Sequence, residues 1–372
     1  MLCVLHRCTF LLALSCASAW AGVNPTAAQT RSLGIVAPNN EATIAYDMNA
    51  AGQVAAVLED EEGRQRGVLF EKGILTELGS DKSMYSDARA ISARGEIVGS
   101  TSHKDGTWRA FLFERTRGLR ELPTLGGPSG YGMAINNQGH VAGFADTPAR
   151  DWHAFLYKDD VVTDLGTLGG KTSYASGMNN TGSVVGTATT ATEFRHAFVW
   201  DEAGGMRDLG TLGGRQSSAT AINDAGVVVG ASETRERRWH AFVHDGRRMI
   251  DLGAMIGFGS SFATDINNAG HVVGTVLLPD ERLSFVWRDG KMTVHRGGRG
   301  LHLTNAINDG EQMIGATYDL KMNAATMPSN ATAAVQKDAR KLFIFMAVAL
   351  CLALAAVGYR QVSRVRRQLT SL

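Results

Sequence analysis

Residues Ala219–Leu252 read ATAINDAGVVVGASETRERRWHAFVHDGRRMIDL. Four short runs rich in Val, Ile, Phe and Trp lie in that stretch: Ala219–Asn223, Val227–Ser232, His240–His244 and Met249–Leu252. Gly, Asn and Asp separate them, which is the pattern of strands and their turns. The first pair is joined by Asn-Asp-Ala-Gly. Asn accepts local backbone hydrogen bonds and Gly tolerates a positive φ, so this joint has hairpin chemistry. In the sister run His196–Trp200, HAFVW, the alternation puts His, Phe and Trp on one side of a strand and Ala and Val on the other. Both sides are apolar, so the strand is expected to be covered on both faces.

The same pattern recurs along the chain. An Ile-Asn…Gly…Val-Gly core begins at Asp47, Ala90, Ala134, Gly177, Ala221, Asp265 and Ala306. Its Asn position falls at Asn49, Ser92, Asn136, Asn179, Asn223, Asn267 and Asn308, spaced 43, 44, 43, 44, 44 and 41 residues apart. A second motif follows each of the inner cores: RAFLF at Arg109, HAFLY at His153, HAFVW at His196, HAFVH at His240 and LSFVW at Leu283. A third closes the repeat: LPTLGG from Leu122, DLGTLGG from Asp164 and Asp208, and DLGAM from Asp251.

Four antiparallel strands in about 44 residues make a β-propeller blade, whereas β-solenoid rungs are shorter, roughly 20–30 residues. Six full repeats run from about residue 43 to 298, and a seventh begins at Leu303 without its HAF-like and DLG-like strands. The orphan SLGIV at Ser32–Val36 resembles the missing last strand. An N-terminal strand completing the last blade would close the ring and remove exposed edges. The expectation is an all-β fold, a propeller of seven four-stranded blades with six as the alternative. Composition agrees: 43 Gly against 7 Pro is the punctuation of tight turns, not of collagen or a disordered linker.

The combination HAFVW…DLGTLGG…AIN-x-x-G-x-VVG resembles the HAF-repeat proteins, extracellular bacterial repeat proteins named for that tripeptide. The resemblance covers residues 31–318, and HAF itself recurs at His153, His196 and His240. It weakens at Arg109 (RAF), at Leu283 (LSF) and in the first and last repeats. It implies an exported, propeller-like repeat protein and no particular reaction.

The two ends carry a different message. Residues 1–21 have the form of a signal peptide: His6 and Arg7, a short apolar run, and Ala19-Trp20-Ala21 as a small-x-small cleavage site. The alternatives are a buried N-terminal helix or a lipoprotein cleaved before Cys16, for which Ala13 is a poor upstream residue. Residues 342–359, LFIFMAVALCLALAAVGY, carry no charge and are long enough to cross a bilayer as a transmembrane helix. Arg360, Arg364, Arg366 and Arg367 follow, so 360–372 reads as a basic cytoplasmic tail and 319–341 as a linker. A buried C-terminal helix is the other reading of 342–359. An apolar helix with an Arg-rich tail also resembles bacterial sorting tails, but the Pro-Glu-Pro motif of those is absent. The expected address is the inner membrane, single-pass, with the propeller on the periplasmic side.

Cys3, Cys8, Cys16 and Cys351 all lie in the two apolar ends, so the body between them offers no disulfide and no cysteine metal site. A formal net charge of +1 speaks against a general nucleic-acid binder. His153, His196 and His240 occupy one repeat position, which points to hydrogen bonds within each blade before it points to a ring of metal ligands. Asp164, Asp208 and Asp251 likewise suit ordering of the Gly turn better than paired carboxylate catalysis. Asp265, Arg89 and Glu281 break the repeat, yet form no recognisable dyad. Gly166–Ser173, GTLGGKTS, has three residues between its outer glycines where a phosphate loop needs four. Trp108, Trp152 and Trp239 precede the RAF or HAF tripeptides and are the candidate ligand-binding residues, as sugar-stacking platforms or as packing between blades. Arg235, Arg237 and Arg238 form a small basic loop, solvated or anion-binding.

These features lead to an exported, membrane-anchored repeat scaffold that binds a protein or glycan partner. The expectation includes no catalytic activity, no metal and no cofactor. The alternative is an exported hydrolase or lyase with a site at the channel mouth.

Overall fold

The computed structural model describes residues 31–32, 42–59, 64–79, 85–296, 303–319 and 321–328. The propeller belongs to one compact body, Met1–Leu278 with Arg282–Val335; of a second, Pro279–Glu281 with Gln336–Leu372, only Pro279–Glu281 are described. The chain is all-β, with one short helix among the described residues, α1 (Gly253–Ile256). The segments 1–21 and 342–359, expected as signal peptide and membrane span, lie outside the described residues. Within those residues no helix is long and apolar enough to cross a membrane.

Six blades are built of four consecutive strands, each an antiparallel meander. Blade 1 is β2 (Ala42–Met48), β3 (Val54–Glu59), β4 (Gln65–Glu71) and β5 (Ile74–Leu78). Blade 2 is β6 (Ser86–Ile91), β7 (Ile97–Ser102), β8 (Trp108–Glu114) and β9 (Gly118–Glu121). Blade 3 is β10 (Gly130–Ile135), β11 (Val141–Asp146), β12 (Trp152–Lys158) and β13 (Val161–Asp164). Blade 4 is β14 (Gly169–Met178), β15 (Val184–Thr190), β16 (Arg195–Asp201) and β17 (Gly205–Asp208). Blade 5 is β18 (Gly213–Ile222), β19 (Val228–Thr234), β20 (Trp239–His244) and β21 (Met249–Asp251). Blade 6 is β22 (Ser260–Ile266), β23 (Val272–Leu277), β24 (Arg282–Arg288) and β25 (Lys291–Arg296). First strands neighbour one another in order around the axis, so they are the innermost.

The expectation of seven blades is corrected here, since six are complete in chain order. The remaining strands form a sheet of another kind, in the order β1 (Arg31–Ser32), β28 (Lys321–Pro328), β27 (Gln312–Asp319), β26 (Leu303–Ile307). Its inner two strands continue the repeat. The HAF-like position is taken by β28, inside the stretch 319–341 expected as linker, and two residues from the N-terminal side add the edge. An antiparallel edge needs backbone donors and acceptors, not a particular motif, which is why an unrelated sequence can fill it.

Consensus letters of the repeat line up across each blade. In blade 5, Ala219 pairs with Gly230, Gly230 with Phe242, and Phe242 with Asp251. Blade 4 repeats this as Ala175, Gly186, Phe198 and Asp208. A β-bulge sits beside the column in the first strand of each of the seven sheets, between Ala219 and Ala221 in blade 5. The bulge pushes first-strand backbone towards the second strand, so a Cβ on Gly186 or Gly230 would overlap the carbonyl oxygen of Tyr174 or Ser218. Beside each glycine lies the Phe of the HAF motif; Phe111, Phe155, Phe198, Phe242 and Phe285 are all fully buried. Burying each ring contributes about 1.5–3 kcal/mol.

The hydrophobic core is divided among the joints between blades. One cluster joins Val229, Ala241 and Leu252 of blade 5 to Ala263, Ile266 and Phe285 of blade 6. Polar staples cross the same joints. Ser173, Ser217 and Ser261 each accept the backbone N–H of the preceding blade's HAF alanine, Ala154, Ala197 and Ala241. At the opposite end, Asn179 donates to the carbonyl of Asn223, Asn223 to Asn267, Asn267 to Asn308, and Asn308 to Asn49.

Candidate functional site

Two faces follow from the meander. One carries the Asn turns between first and second strands; the other, the loop face, carries the turns between second and third strands and the blade-to-blade connections. The repeated histidines stand near the loop face and do not gather. His153 pairs with Asp164 at 2.8 Å, His196 with Asp208 at 2.7 Å and His240 with Asp251 at 2.9 Å, each within its own blade. A carboxylate only accepts, so each Nδ1 carries the proton. Asp164 and Asp208 also accept the N–H of Gly166 and Gly210 at 2.8 and 2.7 Å. The His–Asp pair therefore orders the Gly turn, as the sequence suggests. Among the described residues no three His, Cys, Asp or Glu side chains stand where they could hold a metal ion.

The candidate tryptophans divide. Trp108 of blade 2 stacks on Tyr131 of blade 3 at 5.4 Å between centroids. Tyr131 stacks on Phe144 at 5.0 Å and meets Trp152 at 5.6 Å, and Phe144 meets Tyr174 of blade 4 edge-on at 5.1 Å. These five half-buried rings form a belt across blades 2, 3 and 4 at the loop face. Trp239 stands apart, stacked on Phe262 of blade 6 at 6.1 Å. The rings thus pack between blades while keeping an edge in solvent. Sequence reading passed over Tyr131, Phe144 and Tyr174. Their signal was visible, because blade 5 has Ser218 and Ala231 at the positions of Tyr131 and Phe144.

The axis carries the charged departures from the repeat. Arg89 pairs with Asp87 at 2.8 Å and lies over the Tyr46 ring at 4.4 Å. Asp47 and Asp265 share one repeat position, where Ala or Gly stands in the other blades. Each accepts its own following N–H, from Met48 at 2.7 Å and Ile266 at 2.8 Å. Each also accepts an N–H of the next sheet, from Ile91 at 2.9 Å and Ile307 at 2.8 Å. Burial pushes the Asp265 carboxyl up to about 8, aided by the charge of Asp47; burial raises Asp47 as well. Glu281, the third non-repeat residue, lies in the turn between β23 and β24.

Blade 5 holds a cleft of about 460 Å³ between its second turn and α1. Arg235, Glu236, Arg238, His240, Asp251 and Gly253 are among the residues that line it. The basic loop read from the sequence is therefore one wall of a concavity.

No family model matches the chain, and no curated protein does. Solved structures share its fold. Puromycin hydrolase is 13% identical with a TM-score of 0.56, over 85% of this chain and 57% of that one. A puromycin-hydrolyzing peptidase of Mycobacterium tuberculosis is 12% identical at a TM-score of 0.53, over 83% and 55%. TolB from Acinetobacter baumannii is 12% identical at 0.43, over 78% and 65%. This chain thus spans little more than half the length of the hydrolases it matches. The sequence-based exclusion of catalysis is corrected by these likenesses, because the same propeller occurs in hydrolases.

Proposed function

We propose that this chain is an exported, membrane-anchored propeller that binds a protein or glycan partner on its loop face. One observation carries the reading: departures from the repeat gather on that face, as the aromatic belt of blades 2–4 and the charged cleft of blade 5. The Asn face keeps near-uniform turns. Functional residues sit by preference on loops held by a rigid scaffold, and half-exposed aromatic rings are favoured binding anchors. In this reading the chain belongs with the HAF-repeat proteins, and 342–359 anchors it in the inner membrane with 360–372 in the cytoplasm. Cross-linking and pull-down from the native envelope tests the partner. Trp108→Ala with Trp152→Ala should abolish capture, while Asn137→Ser on the Asn face should not. Capture unaffected by the Trp pair sinks the assignment of the face. Alkaline phosphatase fused after Leu372 should be inactive; activity there overturns the topology.

A second reading, a hydrolase or lyase working at the channel, is favoured by Asp47 and Asp265. A carboxyl held protonated near neutrality can donate a proton. Hydrolysis of ester or peptide substrates that Asp265→Asn abolishes, with folding intact, would support this reading over the first.

A further inference from the structure

The joint between blade 6 and the closing sheet carries polar side chains where the other joints carry Leu and Ala. One position past the strand partner of the HAF phenylalanine, or of Val68 in blade 1, stand Leu78, Leu122, Leu165, Leu209 and Leu252. Blade 6 has His295 there. It lies opposite Ser284, which stands where the other blades have Ala or Gly67. Thr304 of the closing sheet completes the group, its hydroxyl donating to Ser284 Oγ at 2.8 Å. Ser284 and Thr304 are fully buried, and His295 is 3% exposed. Neither ring nitrogen of His295 has a hydrogen-bond partner among the described residues. A neutral imidazole carries one donor and one acceptor; the protonated ring carries two donors and a charge. Both forms are short of partners in this place, and the charged form loses far more by it.

The two ends of this joint are held differently. At the Asn face, Asp265 accepts the N–H of Ile307 at 2.8 Å, Asn267 donates to the Asn308 carbonyl at 3.3 Å, and Arg288 pairs with Glu311 at 2.8 Å. His295, Ser284 and Thr304 lie at the loop-face end, near the end of β25 and the starts of β24 and β26. Of the elements around His295, β23, β26 and α1 carry no charged residue. Arg282 and Arg288 stand on β24, Lys291 and Arg296 on β25, Asp265 on β22, and Asp319 and Lys321 where β27 turns into β28. No carboxylate among the described residues pairs with the ring, and burial alone pushes it down to about 4. We propose that this end of the joint is an acid-operated clasp: protonation of His295 parts blade 6 from the closing sheet at the loop face, with the ties at the Asn face as the hinge. An exposed imidazole takes its proton at about 6.5, so opening should become about tenfold more frequent per pH unit between about 6.5 and 4. The clasp does not depend on which partner the loop face binds.

The test is deuterium uptake by the full chain at about pH 6.5, 5.5 and 4.5, each rate divided by the intrinsic exchange rate at that pH. Strand β26 and the end of β25 should lose protection about tenfold per pH unit, while blade 4, whose joint carries Leu209, should keep its own. His295→Leu restores the residue of the sister blades and should remove the loss. His295→Gln, which takes no proton, should remove it as well. Asp265→Asn should leave it in place, because the hinge end stays shut. An equal loss in blade 4 makes the event global unfolding and overturns the proposal; that comparison lies within the unmodified chain and needs no variant. Protection that does not change with pH overturns it too. So does a loss that survives in the folded His295→Gln chain, or one that Asp265→Asn abolishes.

Discussion

Asparagine at the phase of Asn223 performs two jobs that no other side chain combines there. Its Oδ1 accepts the N–H of Val227 at 3.0 Å and closes its own turn; its Nδ2 donates to the Asn267 carbonyl at 3.2 Å and ties the next blade. Aspartate could do the first and not the second. Ser92 shows the consequence of losing the amide: its Oγ bonds Glu96 at 2.9 Å within its own turn. Asn223 is 5% exposed, so Asn223→Asp would orphan a buried carbonyl and aim a carboxylate at it. An unsatisfied buried polar group costs about 1–3 kcal/mol, and urea unfolding should show a loss of that size. This role was half legible in sequence: the turn chemistry was plain, but the donor's target lies 44 residues away and needs the ring to bring it close.

At the scale of the strand, the two best-marked signatures, Val-Val-Gly and His-Ala-Phe, belong to one column. Sequence reading took glycine as turn punctuation, and that holds for Gly226, at φ +79° in the Asn turn. It fails for Gly230, which is mid-strand because a bulge brings Ser218 against it. Gly230→Ala should destabilise by roughly 1–3 kcal/mol, as overpacking does. Blade 1 already has Ala56 at that position, paired with Ala45 and fully buried, so the same change is tolerated where the blade has adjusted. The His–Asp pair, although as regular, weighs less. Its members are 21% and 39% exposed in blade 4, and an exposed pair contributes about 0–1 kcal/mol. His196→Gln should therefore shift the unfolding midpoint less than Gly186→Ala. Repetition marks both equally; only burial ranks them.

Across the whole ring, two titrating groups, the half-buried Asp265 and the buried His295, work against each other. Asp265 holds its proton in the folded state up to about 8 and in an unfolded chain to about 3.9, so stability falls as pH rises through that interval. His295, buried in β25, is pushed down to about 4 from about 6.5, so stability is lost as pH falls through that interval. The two effects cancel between about 4 and 6.5, so melting temperature should stay level there and fall between about 6.5 and 8. Asp265→Asn should remove that fall and uncover a rise from about 4 to 6.5, while His295→Gln should extend the fall down to about 4. Closure adds a second expectation. β28 pairs along its whole length with β27, and deleting 321–328 would leave β27 as an open edge. Such edges recruit other chains, so the deletion variant should associate in size-exclusion chromatography where the intact chain does not.

The sequence by itself determined the four-strand blade, its period, its turns and the order of six blades, because strand alternation and turn chemistry are local and repeat seven times over. It also marked the residues that break the repeat. Tertiary structure decided what those residues do. Whether Trp108 faces solvent or Tyr131, whether Asp47 and Asp265 both bond the next sheet, and whether Arg235 and Arg238 wall a cleft all depend on neighbours far away in the chain. The closing sheet is the plainest case. The orphan at Ser32 pointed to an N-terminal edge strand, but backbone hydrogen bonding accepts any extended segment of suitable reach, so no motif announced β28.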